Sequence, residues 1–196
     1  MQTLDIPLRI VVMGVSGSGK STLAEGLSKA LGMQMKDGDE LHLPESVAKM
    51  SAGIALQDAD RWPWLDRIAN YLVNTAPRPQ GQAGAIVACS ALKQIYRDRI
   101  RQQAGPVVFL FLDGSPELIR QRMHERKGHY MQAGLLDSQL HILEKPGADE
   151  ADVITLSIDQ SVSVLLEKSM AKLAAHQEDA LLYSESIAQN SFLHKH

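Results

Sequence analysis

The chain has 196 residues, 44% apolar and 22% charged, with a formal net charge of −3 from 20 basic and 23 acidic side chains. That fits one α/β domain with a sizeable core. It excludes a nucleic-acid partner held by bulk positive charge, but not a small anionic substrate held by a local cluster of Arg and Lys.

Taken in chain order, Leu8 to Met13 reads as a buried first strand and Lys20 to Leu31 as a helix, with Leu23, Leu27 and Leu31 four apart. Between them lies Gly14-Val15-Ser16-Gly17-Ser18-Gly19-Lys20-Ser21, which matches the phosphate-binding loop G-x-x-x-x-G-K-[ST] at every position. Its glycines let successive backbone N–H groups turn toward phosphate oxygens, and the following helix N-terminus adds partial positive charge. In such a loop the Lys20 ammonium reaches the β- and γ-phosphates and the Ser21 hydroxyl binds Mg²⁺, with Thr22 next to them. The strand–loop–helix context predicts a nucleoside triphosphate site with Mg²⁺.

Met33 to Lys36 is a short second strand ending at Asp37-Gly38-Asp39. Two carboxylates two residues apart at a strand end point in different directions. Asp37 is therefore read as a magnesium ligand through water, and Asp39 as the acceptor of a substrate hydroxyl's proton. A capping role in an Asp-rich turn is the alternative. Helices are expected at Glu45 to Met50 and from Asp58 to about Ala76, then a loop at Pro77 to Gln82.

Ala85 to Cys89 is the third strand, followed by a helix from Ala91 to Gln103. That strand ends in Cys89-Ser90 and not in a carboxylate, which leaves Asp37 as the candidate for the metal and lowers the motor and switch readings. Val107 to Leu112 is the fourth strand, Pro116 starts an Arg-rich helix, Asp152 to Ile158 is the fifth strand and Val162 to Ala175 the last helix. The phosphate loop and strands alternating with helices predict an α/β fold of the P-loop NTPase type: three layers, α/β/α, with a mostly parallel five-stranded sheet. One domain is expected over 1–176, and the stretch at about 115–142, which carries the Arg-rich helix, resembles the helical lid of the adenylate kinase-like group. Residues 177–196, which lose periodicity, read as a partly disordered tail.

Membrane and secretory settings are not expected. No apolar run approaches the roughly 18–20 residues of a bilayer span, and Met1 to Asp5 do not begin a signal peptide. The single cysteine, Cys89, forbids an intrachain disulfide and suits a reducing cytoplasm.

Beyond the loop, several segments carry a more specific pattern: Asp37-Gly38-Asp39-Glu40-Leu41-His42, Lys49-Met50-Ser51-Ala52-Gly53 and Asp58-Ala59-Asp60-Arg61-Trp62-Pro63-Trp64-Leu65. Cys89-Ser90-Ala91-Leu92-Lys93 with Tyr96-Arg97-Asp98, His129-Tyr130-Met131 with Leu135-Leu136 and Ser138-Gln139, and Glu144-Lys145-Pro146 with Asp149-Glu150 extend it. In order and spacing over about residues 8–172, this set resembles the gluconokinase family. Leu43 between His42 and Pro44, Ser46, Ile54-Ala55-Leu56 and Gln132 depart from the pattern.

The resemblance implies phosphorylation of D-gluconate at its 6-hydroxyl by MgATP, on a fold like that of adenylate and shikimate kinases, in a homodimer. A substrate with one carboxylate and a row of hydroxyls needs cations. Lys49, Arg61, Lys93 and Arg97 are the candidates, with Arg61 and Arg97 offering the bidentate fork and His42 a hydroxyl partner. Ser90 either binds substrate or caps the helix expected at Ala91. Arg122 and Arg126 share a helix face; lid resemblance assigns Arg122 to adenine and Arg126 to the transferring phosphoryl group, leaving Arg120 solvated. His129 contacts phosphate or substrate or secures the lid hinge. Two alternatives stay open: a kinase for another small acceptor (a shikimate-like acid, another aldonate or a nucleoside monophosphate), and a non-catalytic nucleotide-binding regulator.

Overall fold

A computed structural model of the chain describes residues 7–77, 83–125 and 133–193, with residues 133–135 and 180–193 given as backbone only. Five strands form one sheet: β1 (Leu8–Met13), β2 (Gln34–Asp37), β3 (Gly84–Cys89), β4 (Val108–Asp113) and β5 (Val153–Ser157). Their order is β2-β3-β1-β4-β5, and every neighbouring pair is parallel. The register puts Met13 opposite Cys89 and Phe111, Asp37 opposite Ala88, and Asp113 opposite Ser157. All five carboxyl ends therefore line one edge, where ligands of open α/β sheets bind.

Strand alternation sorts the core into two layers. Ile10, Val12, Leu110 and Leu112 pack with Leu23 and Leu27 of α1 (Lys20–Leu31) and with Leu165 and Leu173 of α7 (Val162–Leu193). Val11, Met13, Val87, Phe109 and Phe111 face the other way, against Trp64, Leu65, Ile68 and Leu72 of α3 (Asp58–Asn74) and Tyr96 and Ile100 of α4 (Gln94–Ala104). The result is the expected three-layer α/β/α sandwich. Three further helices complete it: α2 (Pro44–Ser51), α5 (Pro116–Glu125) and α6 (Ala133–Ile142). Among the described residues no helix is long and apolar enough to cross a membrane.

Three elements differ from the sequence expectation. The helix expected at Ala91 starts at Gln94, because Ala91 takes a left-handed backbone conformation (φ 39°) and the turn continues to Lys93. The α6 helix was not anticipated. The last helix does not stop at Ala175 but runs on to Leu193, so residues 177–193 continue it as one element. The span expected as a lid holds α5 and α6; residues 126–132 between them lie outside the described residues.

Candidate active site

The phosphate loop joins β1 to α1 at the carboxyl edge of the sheet. Gly17 has φ +81°, and a Cβ there would meet Met123 Cγ at 2.6 Å, so both conformation and space demand glycine. Lys20 donates from Nζ to the Val15 carbonyl at 3.0 Å, curling over its own loop. The Ser16 N–H donates to Gln139 Oε1 at 2.7 Å. Ser18 is fully buried, and its Oγ is a polar atom without a hydrogen-bond partner.

The end of β2 lies against β3. A Cβ on Gly38 would sit 2.7 Å from Cys89 Cβ and 2.9 Å from the Ala88 carbonyl, so only glycine fits between the two aspartates. Trp64 Nε1 donates to the Gly38 carbonyl at 2.6 Å and fixes that turn from α3. The Asp37 carboxylate is thereby brought to α1: Ser21 Oγ donates to Oδ2 at 2.9 Å, while Oδ1 accepts the Asp39 N–H at 3.0 Å. Asp37 thus both caps the turn and faces the loop, which joins the two readings of this segment. Asp39 is exposed, and no other described side chain is hydrogen-bonded to its carboxylate.

The pairing of Ser21 with Asp37 tests the site for magnesium. Mg²⁺ keeps several waters and takes one or two carboxylate or hydroxyl partners plus nucleotide phosphates. One hydroxyl and one carboxylate beside the loop fit that habit. Among the described residues no cage of three or more His, Cys, Asp or Glu is present.

A charged wall rises beside Asp39. The His42 ring stacks on Trp64 at 4.5 Å between centroids and 8° between planes. Burial holds its pKa below the ordinary value, against the pull of Asp39 and with a further push from Arg61, which favours the neutral imidazole. Its Nδ1 is buried without a partner. Arg61 donates to the Leu56 carbonyl at 2.6 Å and lies 5.6 Å from the centre of the Tyr96 ring. Lys93 Nζ bridges both oxygens of Asp58 at 2.9 Å, and the Tyr96 hydroxyl donates to the same carboxylate. The Tyr96 bond first, then Lys93, lowers the Asp58 pKa. Lys49 Nζ meets Asp60 Oδ1 at 2.6 Å, which lowers the Asp60 pKa.

Arg97 requires a correction. It was expected to grip the substrate carboxylate, but it is 1% exposed. Its Nε and Nη2 hold Glu150 bidentately at 2.6 and 2.5 Å, and Nη1 donates to the carbonyls of Ala91, Leu92 and Glu144. Every guanidinium nitrogen is engaged within the protein, and the burial leaves the group out of a ligand's reach. Ser90 is corrected in one respect: it cannot cap α4, whose first N–H, that of Gln94, is capped instead by Glu144 Oε2 at 2.7 Å.

Arg122 donates from Nη2 to the Ile158 carbonyl at 2.5 Å, which places it just past the end of β5 on the same sheet edge. Arg120 pairs with Asp137 at 2.8 Å on the exposed face, joining α5 to α6. The two remaining candidates, Arg126 and His129, lie outside the described residues. Cys89 is buried and its thiol pKa is pushed up to about 12 by burial, so it is no nucleophile.

Sequence reasoning did not assign Asp58, Asp60, Tyr96 or Gln139 to the site. The density of charge in Asp58-Ala59-Asp60-Arg61 was a signal for the first two. Nothing in the spacing of α6 marked Gln139 as reaching the loop.

A phosphate loop at the head of a five-stranded parallel sheet, with an aspartate from the next strand on its serine, defines a nucleotide-binding kinase of the P-loop class. A family profile described as an AAA domain matches residues 10–146. The chain is 46% identical over 164 residues to a gluconokinase of Gluconobacter oxydans (strain 621H), covering 83% of this chain and 89% of that one. It is 38% identical over 182 residues to a thermosensitive gluconokinase of Escherichia coli (strain K12), covering 92% and 95%. The crystal structure of a gluconokinase from Sinorhizobium meliloti 1021 superposes with a TM-score of 0.81 at 42% identity, covering 91% and 98%. The chain belongs to the gluconokinase family.

Proposed function

We propose that the chain transfers the γ-phosphoryl group of MgATP to the 6-hydroxyl of D-gluconate, giving 6-phospho-D-gluconate and ADP. The observation that carries this reading is the divided Asp37-Gly38-Asp39 turn, with one carboxylate committed to Ser21 and the other exposed two residues on. The family membership supports the acceptor.

Phosphoryl transfer is mostly positioning and charge stabilisation. The residues Gly14, Val15, Ser16, Gly17, Ser18, Gly19, Lys20, Ser21 and Thr22 hold the nucleotide phosphates, and Lys20 swings from the Val15 carbonyl to their charge. Ser21 and Asp37 would hold Mg²⁺, Asp37 through water, and the ion would supply charge neutralisation at the nucleotide phosphates. Asp39 orients the attacking hydroxyl and accepts its proton. Arg61 and Lys93 meet the gluconate carboxylate, His42 and Ser90 meet hydroxyls, and Lys49 stays braced by Asp60 at the rim. Arg122 sits at the adenine end, and Arg126 and His129 act on the transferring group or the substrate from the segment between α5 and α6. A homodimer in the cytoplasm completes the proposal, tested by sedimentation and by fractionation.

The regiochemistry is tested by NMR of the product. Phosphorus coupled to C6 of the gluconate carbon chain is expected. A two-bond coupling to any other carbon, beyond the three-bond coupling that C5 also shows in the expected product, overturns the assignment of the hydroxyl.

A further inference from the structure

The backbone N–H groups of a phosphate loop are its ligand-binding atoms, and one of them is already spent. The Ser16 N–H donates to Gln139 Oε1 at 2.7 Å, across 123 residues of sequence. Only the amide oxygen can accept from an N–H, so this contact fixes which way the carboxamide faces. Chemically, that oxygen stands where a phosphate oxygen would take the same donor.

Gln139 is not on a loose strand of chain. Its helix α6 is anchored by Leu136, 2% exposed, with Leu140 and Ile142 packed on the core. Asp137 ties α6 to Arg120 of α5, and Met123 of α5 lies against Gly17, the residue after Ser16. Both helices therefore rest on adjacent residues of the loop.

We propose that Gln139 is a positioning residue of the nucleotide site: its amide oxygen holds the Ser16 N–H in place of phosphate, and the nucleotide binds at this atom by exchange. One donor serves one acceptor well, and a charged phosphate oxygen makes roughly twice as strong a bond as a neutral amide. The nucleotide wins the exchange, and Gln139, released, hands the change to α6. The inference rests on the nucleotide reading of the loop and is independent of the acceptor.

The test compares the full-length chain with Q139M, which keeps length and apolar stem but removes the acceptor, and with Q139E, which holds the N–H by a charge-assisted bond and repels phosphate. Calorimetric titration with ADP and a non-hydrolysable ATP analogue is done without gluconate. Q139M is expected to bind about fivefold tighter and Q139E about tenfold weaker than the unaltered chain. Adding nucleotide should change amide hydrogen exchange across residues 133–142 in the unaltered chain and leave it unchanged in Q139M. Unaltered or weaker binding by Q139M overturns the exchange while leaving the kinase reading intact. Failure of the unaltered chain to bind either nucleotide overturns both.

Discussion

The Ser21 hydroxyl and the Asp37 carboxylate meet at 2.9 Å, joining the first turn of α1 to the last residue of β2. This contact sets the distance between the phosphate loop and the Asp37-Gly38-Asp39 turn. In the proposed mechanism Asp37 serves the metal through water, as an outer partner. D37N should raise the Mg²⁺ concentration needed for half-maximal activity roughly 10- to 100-fold, with metal-free nucleotide binding retained. Activity assayed against Mg²⁺ concentration checks it, and an unchanged requirement would remove Asp37 from the metal site.

Asp39 stands two residues on, exposed and beside His42. Positioned proton acceptors contribute about 10²- to 10⁴-fold. D39N should lower kcat within that range while ADP affinity stays as it was. Calorimetry and steady-state kinetics separate the two, and near-normal turnover would reject Asp39 as the base.

Arg97 and Glu150 test the correction made above. Removing one partner of a buried ion pair leaves an uncompensated charge, at about 3–5 kcal/mol. R97M should cost that much in denaturant unfolding, R97K should recover little because an ammonium cannot copy the fork, and R97M/E150L should recover most of it. Arg97, the larger influence, and Arg101 hold the Glu150 pKa below its usual value. A carboxylate with a lowered folded pKa stabilises fully above its unfolded value of about 4.3. That stability is lost as pH falls through the lowered folded value, and the double variant should lack this acid slope. If R97M instead folds normally and raises only the gluconate KM, Arg97 belongs to the substrate after all.

The loop, all five strands and the charged turn were legible in the sequence because each rests on local pattern: a β-branched run, a glycine spacing, two carboxylates around one glycine. What was not legible depends on partners far along the chain. The start of α4 is set by Glu144, fifty residues on. Arg97 was read as a carboxylate fork, which it is, but its carboxylate is Glu150 inside the protein, and spacing cannot tell an internal partner from a ligand. The α6 helix was read only as motif fragments, so Gln139 was never placed beside Ser16. The helical tail was missed because the polar residues after Gln177 weaken the apolar stripe without breaking the helix.

Arg61 remains the strongest candidate for the substrate carboxylate, partly exposed beside Tyr96. A lost hydrogen bond to a charged group corresponds to about 1.5–3 kcal/mol, or roughly a 10- to 150-fold change. R61M should raise the gluconate KM by that factor with ATP KM unchanged. A rise in ATP KM alone would move Arg61 to the nucleotide.

The central claim is the acceptor, and ADP release from MgATP tests it most directly, measured with D-gluconate, shikimate, AMP and several epimeric aldonates in parallel. The account predicts strong stimulation by D-gluconate and little by the others. Equal or greater stimulation by another acceptor, or none by gluconate while ATP still binds, would contradict it.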